Sequence, residues 1–220
     1  MRTWSPICLS LFALFVGGCA TSYRVSLDST ARPGPDAISY SIRNVSHTEK
    51  EDSLRYREAA DYVRTGLSGR GMFEAPPNVV PDVIVDLDFG ISTEVRRKVE
   101  KVPVWTTTPS TTKPHGSIQG DTVVFDRAVF SQEDRIIVDT THIKFLSLVA
   151  HENVASTTGE PAPETWRVEV TSEGKSKNLR EYLPVLVAAS IEYIDKDSRG
   201  QKTIRLKDTD TDVVFVKNGM

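Results

Sequence analysis

Reactive sulfur is nearly absent from this sequence: its 220 residues include 2 cysteines, Cys8 and Cys19, both close to the N-terminus. Everything beyond Cys19 therefore lacks a thiol for a disulfide, a metal site or a nucleophile. Histidine is almost as scarce, with 4 in all, His47, His115, His142 and His151. No two of them have the three- or four-residue spacing of a helical metal pair, so they read as surface or sheet residues. The phosphate-cradling pattern Gly-x4-Gly-Lys-Ser/Thr and the dinucleotide pattern Gly-x-Gly-x-x-Gly are both missing. Gly66-Leu67-Ser68-Gly69 falls short of a nucleophile elbow, because Arg70 occupies the second required glycine position and the serine follows a helix instead of a strand. Asp208-Thr209-Asp210-Thr211-Asp212 begins like a calcium loop. It fails at Val213, where the turn needs glycine, and at Gly219, where the ion needs a bidentate glutamate, and so reads as a charged hairpin turn. Paired carboxylates of the glycosidase kind leave no trace in sequence, since their separation is set by the fold. A basic excess is also lacking. The formal net charge of −3 argues against nucleic acid as a partner. No cofactor motif is present.

The chain does contain a short apolar start. Arg2 precedes an apolar run over residues 7–16, which small Gly17 and Gly18 close, the layout of a cleaved secretory signal. The run is well short of the roughly 20 apolar residues that span a bilayer core. At its end, Val16-Gly17-Gly18-Cys19 resembles the lipobox of bacterial lipoproteins. That resemblance implies cleavage between Gly18 and Cys19, a thioether from the Cys19 sulfur to diacylglycerol, and a further fatty chain such as palmitate on the freed amine. Two or more chains hold a protein durably at a membrane, at about 0.8 kcal/mol per buried methylene, where one chain does so only marginally. Ala20 follows where an aspartate would favour the inner membrane, so the resemblance also implies the outer membrane, with the body facing the periplasm.

Residues 19–220 then read as a single lipid-anchored domain. Alternation of apolar and polar residues predicts strands at 23–27, 38–42, 82–92, 123–125, 135–138, 142–149 and 165–170, with short closing strands near 203–206 and 213–216. Only three residues separate Cys19 from Tyr23, a reach of at most about 10 Å, which places the body close to the lipid. A helix is predicted after Thr48, capped with Glu51, burying Tyr56, Ala59, Ala60, Val63 and Leu67 and ending at Gly69 or Gly71. Glu51 with Arg55, and Arg57 with Asp61, have the spacing of surface ion pairs. A second, more apolar helix follows Asn178, with Pro184 expected to bend it or delay its start. Asp86 and Asp88 fall on the same outward face of their strand, a weak cation pair that does not by itself make a metal site.

Arg96, Arg97, Lys98, Lys101 and Trp105 precede a Thr-, Pro- and Gly-rich loop over residues 106–120. The loop reads either as a long hairpin tip or, with those five residues, as a contact patch for an anionic surface or another envelope component. The element order predicts an α+β fold, two helices packed on a twisted, largely antiparallel sheet. The lipobox, the strand Pro81-Asp82-Val83-Ile84-Val85-Asp86 and the helix beginning Asn178-Leu179-Arg180 together resemble bacterial envelope lipoproteins grouped as a domain of unknown function. The functional expectation is a non-enzymatic envelope protein of binding or assembly type. A tethered periplasmic hydrolase and a periplasmic ligand carrier stand as alternatives.

Overall fold

The computed structural model describes residues 21–34, 37–46, 49–109, 126–153 and 162–219, with the backbone alone for 105–109 and 126–130. The chain divides into two compact units, one made of Met1–Ser92 with His142–Met220 and the other of Thr93–Thr141. Its elements in order are β1 (Ser22–Ala31), β2 (Ser39–Asn44), α1 (Leu54–Gly69), β3 (Phe73–Glu74), β4 (Val83–Pro109), β5 (Asp126–Glu152), β6 (Glu164–Gly174), α2 (Leu179–Ser190), β7 (Lys202–Lys207) and α3 (Thr211–Asn218). The strands form one 7-stranded sheet in the order β3-β2-β4-β5-β6-β1-β7.

The fold is α+β, and the sheet dominates it. It is mixed, not largely antiparallel: β1 runs antiparallel to β6 and β7, and β5 to β6, whereas β2 is parallel to β3 and β4. The parallel pairs follow from α1, because a helical crossover returns the chain to the end of the sheet from which it left. Asp82 fixes the β2–β4 register. Its Oδ2 accepts the N–H groups of Ile38 at 3.1 Å and Ser39 at 2.8 Å, and its own N–H donates to Ser39 Oγ at 3.0 Å. These bonds hold the Asp82 carboxyl below its ordinary range.

The helix layer has three helices in place of the two expected. α3 replaces the strand predicted at 213–216: Asp208 to Asp212 lead from β7 into a helix with Asp210 at its N-cap position, and no hairpin forms. Val213 and Val216, both buried, are spaced for one helix face, whereas a strand would have buried alternate residues. α1 begins later than its predicted cap. Ser53 Oγ accepts the Tyr56 N–H at 3.1 Å, and Gly71, with φ +86, closes the far end in the left-handed region. The predicted pairs along α1 are replaced by Arg55–Glu49 and by Arg64 with Asp61 and Glu74. α2 begins after Asn178 as predicted and runs through Pro184 without ending, then passes into a short 3-10 turn at Ile191–Tyr193.

The core joins strand residues such as Leu27, Val85, Phe89 and Leu148 to Val63 and Leu186 of the helices. α2 packs against β1, β6 and β7, and against both other helices. The α1–α2 approach is close: a Cβ added to Gly66 would lie 2.7 Å from Val187 Cγ1. Gly66→Ala is therefore expected to cost about 1–3 kcal/mol through overpacking, despite alanine's helix-propensity advantage of about 1 kcal/mol. Urea unfolding checks this, since a gain in stability would show that the helices can part freely. No helix among the described residues is long and apolar enough to cross a membrane.

Candidate functional site

Gly18 and Cys19 lie outside the described residues, as do His47, Thr48, His115 and the predicted strand at 123–125. The fold nevertheless starts within two residues of Cys19, for the Thr21 carbonyl accepts the Asp208 N–H at 3.1 Å and Ser22 pairs with Lys207.

The predicted contact patch falls in the unit Thr93–Thr141. β4 continues through residues 106–109, so the expected loop is strand there, while 110–120 lie outside the described residues. Alternation along β4 divides the basic cluster. Arg96 and Lys98 project to one face, Arg97 and Lys101 to the other, and the side chain at position 105 lies outside the described residues. Arg96 is held by Glu94 through two bonds of 3.0 Å. The unit also carries an aliphatic surface that the patch prediction did not include: Val95, Val99, Ile136 and Val138 are all more than half exposed.

In the larger unit Asp86 does not face water. Arg43 Nε and Nη2 bond its two oxygens at 2.6 and 2.8 Å, and His151 Nε2 approaches at 3.4 Å. His151 Nδ1 lies 3.1 Å from the Ala162 carbonyl. Arg43 thus supplies the positive charge that a shared cation would have brought, and the expectation of one wet face on this strand is corrected, since Val85, Asp86 and Leu87 are all buried. His142 is buried too, and burial pushes its imidazole below the ordinary range.

A second polar cluster sits under the start of α2. Lys144 on β5 is fully buried, its Nζ donating to the His142 carbonyl at 3.3 Å and lying 4.3 Å from the centre of the Tyr182 ring. Tyr23 stacks edge-on against Tyr182 at 5.1 Å and donates to Glu181 Oε1 at 2.8 Å. Burial pushes the Lys144 ammonium down and the Tyr23 phenol up, the latter reinforced by Glu181. The cluster reads as a buried structural network.

A concave feature lies at one end of the sheet. A cavity of about 320 Å³ is lined by the exit of β1 at Arg32, the entry of β2 at Ile38, the start of β4 at Asp82 and Val83, the end of β5 at Glu152, and Trp166 of β6. Its lining mixes apolar side chains, Ala37, Ile38, Val83 and Trp166, with the charged Arg32, Asp82, Glu152 and Asp195. Sequence reasoning missed it because its residues come from five separate strand ends; the one available signal was Trp166 within a cleanly alternating strand.

No protein-family model matches the sequence, and no curated protein matches it. Solved structures show a distant likeness. A PDZ domain protein from Parabacteroides distasonis aligns at 12% identity and a TM-score of 0.40, over 84% of this chain and 39% of that one, so this chain spans well under half its length. PelC from Paraburkholderia phytofirmans, a dodecamer, aligns at 14% identity and a TM-score of 0.38 over 78% of this chain and 98% of its own, and again at 12% and 0.39 in a second crystal form. Likeness at this level assigns neither a family nor a function.

Proposed function

We propose that this is a bacterial envelope protein, held at the outer membrane by acyl chains on Cys19, that binds or helps assemble another envelope component without catalysing a reaction. The observation that supports the reading is the set of exposed aliphatic side chains in the unit Thr93–Thr141, Val95, Val99, Ile136 and Val138, of which Val95 and Val99 share the face of β4 that carries Arg97 and Lys101. Exposed aliphatic side chains grouped within a small unit of a stable protein mark contact surfaces more often than chance. The tethered-hydrolase alternative gains nothing from Asp82, which its backbone donors hold ionised where a general acid needs a raised pKa.

Two measurements test the proposal. Cys19→Ser is expected to move the protein from the membrane fraction to the soluble fraction and to lower its mass by the lipid. A photo-crosslinker at position 99 or 136 is expected to capture one reproducible envelope partner in intact cells. Wild-type protein of bare polypeptide mass would refute the anchor, and crosslinks no richer than those from an exposed position on α1 would refute the contact surface.

A further inference from the structure

Strand phase puts the exposed aliphatic side chains of the unit Thr93–Thr141 on one face. Along β4, Val95 and Val99 are in phase with Val85, Leu87 and Phe89, which alternation turns to the core. Along β5, where burial alternates cleanly from His142 to Ala150, Ile136 and Val138 are in phase with Leu146 and Leu148 of the same core. β4 and β5 are sheet neighbours, so the four aliphatic residues share a face, and each is more than half exposed.

Charge separates this face from the other. Among the aliphatic residues stand Arg97 and Lys101 of β4 and Asp134 of β5, all exposed, so bases outnumber acids. No hydrogen bond or ion pair holds Arg97 or Lys101 among the described residues. On the opposite face the acids Glu94, Glu100, Glu133 and Asp139 outnumber the bases Arg96, Lys98 and Arg135, and Glu94 already holds Arg96. A second copy stacked on the aliphatic face would bring two cations of each chain together against one acid of each, and juxtaposed like charges disfavour such pairing. The same cations disfavour a membrane-spanning role. A strand cation facing lipid at the bilayer midplane weakens insertion by about 30- to 900-fold, against about fivefold at most near the interface.

Taking the contact surface proposed above as given, we propose that its partner is an anionic phospholipid surface, with Val95, Val99, Ile136 and Val138 at the acyl boundary and Arg97 and Lys101 on the phosphates. Aliphatic and cationic groups on one face are the two attractions that hold a surface-lying element to a membrane. Long basic side chains reach the phosphates while their stems stay on the apolar layer. The opposite face, with its acidic balance, stays in water.

The test uses the full acylated chain with one introduced cysteine carrying a nitroxide, at position 99 or 136 on the aliphatic face or at position 98 on the other. All three positions are exposed, so the label sits outside the core, and lipid on the Cys19 sulfur leaves it a single site. The protein is reconstituted into vesicles of equal phosphatidylethanolamine and phosphatidylglycerol, or of phosphatidylcholine alone, and flotation reports attachment. Access of oxygen, which concentrates in lipid, against that of a nickel chelate, which stays in water, reads immersion of the label. In the anionic vesicles the labels at 99 and 136 are expected to be immersed and the label at 98 wet. Arg97→Gln with Lys101→Gln should lower the ratio of immersed to free label at 136 by about thirtyfold, roughly fivefold for each basic side chain lost from an anionic surface. Phosphatidylcholine should act alike on the unsubstituted chain. Labels at 99 and 136 as wet as the label at 98, in protein that floats, would overturn the proposal and leave the anchor standing, with crosslinking in cells still able to find a protein on the same surface. Protein that does not float would overturn both. Immersion indifferent to lipid charge and to the double substitution would overturn the proposal as well.

Discussion

Phe89→Ala is expected to lower the stability of the fold by about 3–5 kcal/mol, the largest effect of any single truncation considered for this chain. Phe89 is 0% exposed on β4, the strand between β2 and β5, and shares the core with Val85 and Leu87 of the same face. Removing its ring takes away the transfer free energy of the phenyl group. It also leaves a cavity that a sheet hydrogen-bonded on both sides cannot collapse, so the two costs add. For a chain of this size the melting temperature should fall by roughly 6–20 °C. Val99→Ala on the same strand is the matched control. With Val99 60% exposed, its truncation should stay within about 0.5 kcal/mol. Thermal melts of the two variants give the comparison. Equal losses would mean that Val99 is covered, and the aliphatic surface proposed for contact would not exist.

Lys144→Met should act in the opposite direction, raising stability by about 1–4 kcal/mol near neutral pH. A buried charge forfeits its hydration, and an apolar side chain of similar length avoids that cost. The cation–π contact with Tyr182 and one bond to the His142 carbonyl offset only part of it. The pH dependence supplies a second signature. Burial lowers the folded pKa of Lys144 below its ordinary value of 10.5, so between the two the unfolded chain binds more protons, and wild-type stability must rise with pH across that window. Tyr23 and Tyr182 are raised above 10.0, so their contribution is complete below pH 10 and is lost above it. Wild-type stability should therefore climb towards pH 10 and then decline. In Lys144→Met the climb should vanish and the decline remain. Urea titrations between pH 7 and 11 distinguish the cases, and a methionine variant less stable than wild type would show that the ammonium has a stronger partner than the Tyr182 face.

Sequence periodicity located the local elements well. The buried face of α1, Tyr56, Ala59, Ala60, Val63 and Leu67, is as the 3.6-residue spacing predicts, β1, β6 and β7 cover their predicted alternating runs, and β2 covers its own except Ile38. It failed where the deciding partner is distant in sequence. Asp86 appeared solvent-facing because a strand pattern registers side-chain polarity and not the Arg43 that arrives from a parallel neighbour. The closing helix was mistaken for a strand because two valines in a four-residue window satisfy either period. The basic cluster looked like one patch because adjacency in sequence is opposition across a strand. The sheet-end cavity was least legible, since no local pattern links Arg32, Asp82, Glu152 and Trp166.

The pairing of β1 imposes an order on biogenesis. Ser22, three residues from the proposed lipid, meets Lys207, the last strand residue among those described, and on its other side β1 meets β6 from Ser26↔Thr171 onward. Such distant partners make closure slow. The opening strand has nothing to zip onto until residues 164–207 have been made. A chain stalled before residue 164 would present β1 as a bare amphipathic strand, the state in which a chaperone or a protease would find it.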